Sequence, residues 1–135
     1  MTEPPSGAPA PVTAELRDGE QLDLRALADE ICRRYRNEFP DEQARYGDAG
    51  MAWCIHDNQH LLNWAVAESN GYGGFERQLT WLARVLDARD FPLERLARDL
   101  DIAATVLNEM DTRHPGPPEI LADGARLLRS RASGP

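Results

Sequence analysis

The chain has no lysine. All 15 of its basic residues are arginine, set against 23 aspartates and glutamates, which leaves a formal net charge of −8 over 135 residues. That balance denies it the basic surface that phosphate contacts require, so no nucleic-acid partner is expected. The all-arginine usage says more about the base composition of the coding sequence than about function. Long apolar runs are also missing: none approaches the roughly 20 residues that a bilayer-spanning helix needs, which excludes a helical membrane protein. Residues 1–15, "MTEPPSGAPAPVTAE", lack the basic flank and apolar stretch of a secretory signal, and the expected location is the cytoplasm. Cysteine is scarce. Cys32 and Cys54 have no CxxC spacing, which argues against a disulfide framework or a zinc ribbon. What remains is an ordinary globular composition, 41% hydrophobic and 28% charged, of a length that suits one domain with its own core.

Pro4, Pro5, Pro9 and Pro11, set among Ala, Ser and Gly, mark residues 1–20 as a flexible tail that buries too little apolar surface to offset its ordering entropy. Residues 21–132 read as an all-α globular domain. Leu24, Leu27, Ala28, Ile31, Cys32 and Tyr35 recur at helical steps, and this helix is predicted to end near Phe39, before Pro40. "DEQARYGDAG" offers one helical turn, broken by Gly47 and Gly50, ahead of a long helix that stops around Ser69 at "SNGYGG". Phe75, Leu79, Leu82, Val85 and Leu86 form the cleanest stripe in the chain, with Trp81 to one side. Asp90 and Pro92 then restart a short helix. Its phase slips at Asp101 and Ile102, so "DIAATVLNEM" is predicted as a separate helix. A last helix follows "HPGPP", whose prolines exclude the residues before them from helical geometry. No segment alternates with period two over a useful length. The class is therefore all-α, with five to six helices.

The unusual stretch is Met51 to Glu68, "MAWCIHDNQHLLNWAVAE". On a helix, Cys54, Ile55, Leu61, Leu62, Ala65 and Val66 make a broad apolar arc. Trp53, Asp57, His60 and Trp64 make a second, narrower strip, within about 60° of one another. The strip admits two readings. Large aromatics and a self-satisfied His–Asp pair are ordinary packing. Two indoles around one carboxylate and one imidazole can also close over a flat ligand. His56 and His60 stand four residues apart and could share a metal, but "HDNQH" puts an Asp where the metalloprotease helix has its Glu. No third ligand is evident either, so no metal is expected. No nucleophile with an oriented base can be assembled, Cys54 included, and an enzyme is not expected.

The run "RYGDAGMAWCIHDNQHLLNWAVAE…FERQLTWLARVLDARDFPLERLARDL" resembles a helical domain found in bacterial proteins alone or ahead of a cobalamin-binding domain. The matching residues are Tyr46, Gly47, Gly50, Cys54, Asp57, His60, Leu61, Phe75, Trp81, Leu86, Arg89 and Pro92. The chain is also similar, more loosely, to non-haem globin-like proteins associated with bilin metabolism and stress signalling. Asp90 and Phe91 stand where the family has a loop glycine, and no cobalamin-binding domain follows within these residues. The resemblance implies a globin-like or related helical bundle that senses or regulates rather than catalyses. It directs attention to Asp57 and His60. The expectation is a pocket of Trp53, Asp57, His60 and Trp64 facing Phe75 and Trp81, binding a planar hydrophobic ligand such as a tetrapyrrole (bilin, haem or a cobalamin-related ring). The alternative is a ligand-free adaptor that forms a homodimer or docks a regulatory protein through Trp81 and Ile102.

Overall fold

A computed structural model describes residues 9–110 and 113–132. Among them the chain forms five helices and a single two-stranded hairpin, so the all-α class predicted from the periodicity holds. Helix α1, Leu24–Glu38, begins where the Asp23 side chain accepts the Ala26 N–H at 3.0 Å. Its predicted stripe, Leu24 through Tyr35, is buried throughout, and it ends where the Phe39 N–H donates to the Tyr35 carbonyl.

Helix α2, Glu42–Ser69, joins the two pieces that the glycines were predicted to separate. The break survives as a kink at Gly47, whose φ of 65° and ψ of −160° lie outside helical space and suit only glycine. Gly50 is helical, but a Cβ there would collide with the Cβ of Tyr46, so its lack of a side chain lets Tyr46 fold back over the helix. Helix α3, Phe75–Ala88, buries Phe75, Leu79 and Leu82 as predicted.

Helix α4, Leu93–Met110, runs unbroken, which corrects the interruption predicted at Asp101 and Ile102. α4 touches α1, α3 and helix α5 (Gly116–Ala132), so it buries a wide arc rather than a stripe, and the apparent phase slip is the width of that arc. α5 accommodates Pro117 and Pro118 in its first turn, where a missing N–H costs little. Arg129, near its end, pairs with Glu94 at 2.9 Å and Asp101 at 2.8 Å, so α5 runs antiparallel to α4. α1 does likewise: Arg34 meets Glu109 at 2.6 Å and Glu38 meets Arg98 at 2.7 Å. These exposed pairs fix register more than they add stability.

The predicted tail requires a correction. Residues 1–8 lie outside the described residues, but strands β1, Thr13–Glu15, and β2, Gln21–Asp23, pair antiparallel with Ala14 opposite Leu22. Ala14 and Leu16 are buried against the helices. Gln59 donates to the Pro11 carbonyl and Asn70 to the Glu15 carbonyl, both at 2.9 Å, which fastens the hairpin to α2. Strands of three residues are too short for period-two alternation to register in sequence. No helix among the described residues is long and apolar enough to cross a membrane.

Candidate functional site

Three local features build a cavity of about 80 Å³ at one end of the bundle. The first is the Gly47 kink, which brings Glu42 and Tyr46 alongside Trp53, Asp57 and Asn58 of the same helix. The second is the end of α3. There the Asp90 N–H donates to the Asp87 carbonyl and the Phe91 N–H to the Leu86 carbonyl, the paired bonds of a Schellman cap. That cap needs a left-handed residue, and Asp90 supplies it at φ 62°. It lays Phe91 beside Leu86, and both form cavity wall. The third is α4, which contributes Leu96 and Asp99.

The walls are aromatic and aliphatic, and the lining is acidic. Glu42, only 4% exposed, accepts from Arg95 at 2.6 Å and from the Tyr35 hydroxyl at 3.2 Å, so this carboxylate is paired. The other two carboxyls are not matched by a cation in this way. Asp99, 5% exposed, accepts from the Asn58 amide at 3.1 Å through Oδ1, while its Oδ2 is buried with no hydrogen-bond partner among the described residues. Asp57 Oδ1 and Asn58 Oδ1 are in the same condition. Burial pushes Asp99 up to about 7 against the easing effect of Asn58. Burial pushes Asp57 up to about 8, with the Asp99 charge adding to the shift and Arg89 at the rim opposing it.

The Asn58 amide nitrogen also donates to the Cys54 carbonyl at 2.9 Å and lies 3.5 Å from both Cys32 Sγ and Cys54 Sγ. A hydrogen bond to Cys32, together with burial, holds the Cys54 thiol well above its usual value, and burial raises Cys32 too. Both thiols are therefore protonated at neutral pH, the wrong state for a nucleophile.

The strip predicted as one pocket is divided by its own length. Trp53 and Asp57 line the cavity. His60 and Trp64 share their face but lie up to two turns further along α2, outside the cavity lining. His60, 8% exposed, packs its ring 4.8 Å from that of His56 and 5.8 Å from that of Trp64. Phe75 is buried at the start of α3, close to Gly124 of α5, and also lies outside the cavity lining. Trp81 is 36% exposed on α3, whereas Ile102, named with it as a docking residue, is 5% exposed in the core. Among the described residues, no group of three or more His, Cys, Asp or Glu side chains is placed to hold a metal.

Sequence reasoning missed Asn58 and Asp99. Both carried a signal: Asn58 falls within the arc of Cys54, Leu61, Leu62 and Ala65, and Asp99 falls between Leu96, Leu100 and Ala103. A polar side chain on a core face requires a partner or a purpose. Comparisons with family models, curated proteins and solved structures find no match for this chain.

Proposed function

We propose that this is a non-catalytic, cytoplasmic sensor or regulatory domain that binds a small flat hydrophobic ligand in the cavity beside Trp53. One observation carries the reading: an aromatic-walled cavity between α2 and the α3–α4 turn, lined by buried polar atoms that lack partners among the described residues. Pockets that are apolar with a few convergent polar groups are the usual form of a small-molecule site. A ligand there touches α1, α2, α3 and α4 at once, so its binding energy can bias how the kinked end of α2 packs.

The tetrapyrrole implied by the resemblance is the large end of this ligand class. A macrocycle of four rings exceeds a cavity of about 80 Å³ several-fold, and His60, the imidazole expected to ligate or orient it, is not in the lining. The bare pocket therefore favours a smaller ligand of one or two rings.

The test is fluorescence titration with indole, and absorption titration with haem, a bilin and cobalamin, on the wild-type chain and on Trp53→Ala. Saturable binding of indole, weakened at least tenfold by Trp53→Ala while the helical circular-dichroism spectrum stays unchanged, is the expected result. Absorption bands that saturate with a tetrapyrrole and vanish in His60→Ala would move the site to the other end of the strip. The adaptor is the second reading, favoured by the exposed indole of Trp81. It predicts a mass that rises with concentration and returns to that of a monomer in Trp81→Ala.

A further inference from the structure

Three acceptors without a hydrogen-bond partner among the described residues share one small cavity: Asp57 Oδ1, Asn58 Oδ1 and Asp99 Oδ2. Asn58 is 2% exposed and Asp99 5%, so bulk water does not reach these two side chains freely. Leaving such groups without donors is costly, and all three lack the same thing, an N–H or O–H donor. A neutral hydroxyl supplies one donor. A primary ammonium supplies three, with a positive charge that two carboxyls without a cation between them would stabilise. The walls suit the same group, since Trp53, Tyr46, Phe91 and Tyr35 line the cavity, and aromatic faces attract cations. The neighbouring carboxylate, Glu42, shows how the fold treats an acid meant to be neutralised internally: it is given Arg95 at 2.6 Å.

We propose that the pocket recognises a primary organic amine, its ammonium group seated among Asp57, Asn58 and Asp99 and its flat apolar body lying against Trp53, Tyr46 and Phe91. This rests on the pocket reading above and names its ligand class. The three acceptors take the three N–H donors, and the ring stays at the mouth, where Trp53 is half-buried and Arg89 exposed. Arg89 at the rim opposes a second positive charge, so the site is matched to a single cationic head rather than a polyamine.

Recognition carries a proton balance. With the pocket empty, burial keeps Asp57 and Asp99 partly protonated near neutral pH. Seating an ammonium ion ionises them and releases protons to solvent, so affinity rises from pH 6 to pH 8.5. The other groups facing the two carboxyls leave this sign unchanged. The Glu42 carboxylate, paired with Arg95, pushes Asp99 further up, Cys32 and Tyr35 are held protonated by burial, and Cys54 by its hydrogen bond to Cys32 together with burial.

The experiment is isothermal titration of the full chain at pH 8 with benzylamine, benzyl alcohol and benzoate, which share a ring and differ in the charge of the head. Expected are binding of benzylamine at least tenfold tighter than benzyl alcohol, no binding of benzoate, and proton release seen as a heat that varies with the buffer. Asp99→Asn and Asp57→Asn, each checked for an unchanged helical spectrum, should each weaken benzylamine at least tenfold while leaving benzyl alcohol unaffected. Asp57 is half-buried, so its amide variant keeps the test open if Asp99→Asn does not fold. Equal affinity for the amine and the alcohol, or amine affinity that survives both substitutions, would overturn the cation assignment and leave the flat-ligand pocket standing. Binding of none of the three, with indole also silent, would remove the pocket reading itself.

Discussion

The two ends of α2 are built from one continuous helix and behave as different materials. At Leu62, Ala65 and Val66 the helix is sealed in the core against α1 and α5. From Trp53 to Asp57 it is only half-buried, one wall of a cavity whose far side is the α3–α4 turn. The sealed end is filled by aliphatic side chains, while the open end carries Asp57 in apolar surroundings and a kink at Gly47. The contrast shows how a small bundle hosts a site: tight packing at one end holds the helix in place, and the other end carries the buried polar atoms that have no partner among the described residues.

The largest expected effect lies in the sealed half. Leu100 is fully buried in α4 beside Gly124, and Leu100→Ala should cost about 3 kcal/mol in urea denaturation through lost burial and the cavity left behind. Trp53→Ala, at the open end, should cost under about 1 kcal/mol, because half-buried surface is already wet and its neighbours are not close-packed. Equal losses would erase the distinction between the two ends.

The next effect is the pH dependence of stability. Asp57 and Asp99 titrate near 8 and 7 in the folded state, above their ordinary carboxylate value of 3.8. The folded chain therefore binds more protons than the unfolded chain across that window, and stability falls as pH rises from about 5 to 8.5. The melting temperature should drop by several degrees over that range. In Asp99→Asn the drop should shrink, with the variant gaining about 1 to 2 kcal/mol at pH 8.5 relative to pH 5, because the amide removes the Asp99 titration and its push on Asp57. Below about pH 4 the sign reverses, since carboxylates held low by arginine, such as Glu30, at about 2, lose their partners on protonation. A melting temperature that is flat from pH 5 to 8.5 would show that both carboxyls are solvated.

The smallest effect sharpens the geometry of the site. Asp90 occupies a left-handed conformation that glycine enters without a Cβ penalty, so Asp90→Gly should gain about 0.5 kcal/mol in thermal or urea unfolding. A loss instead would show that the Asp90 side chain itself supports the cap.

Much of this architecture is legible in the residues. The stripes of α1 and α3, the stop at Ser69 and the break at Gly47 follow from periodicity and from glycine, which are local properties. The hairpin escaped because strands of three residues carry no readable alternation and because its anchors, Gln59 and Asn70, lie 48 and 55 positions from the carbonyls they hold. The unity of α4 escaped because a helix surrounded by α1, α3 and α5 buries more than one stripe, and no window of sequence shows how many neighbours it will have. Half of the candidate site was visible: Trp53 and Asp57 were singled out for their chemistry and line the cavity. Asn58 and Asp99 carry no motif, and that both are buried against one another follows only from the packing of α2 and α4.

The sequence by itself determined that the chain is helical, acidic and arginine-only, and where most helices start and stop, because capping, helical period and glycine geometry act over a few residues. Only the tertiary structure decided that Trp53 and Asp57 part company with His60 and Trp64, and that Asp99 arrives from 42 positions beyond Asp57 to share its cavity. One face of a helix is a direction, whereas a pocket is a volume, and a volume exists only once other elements have closed around it.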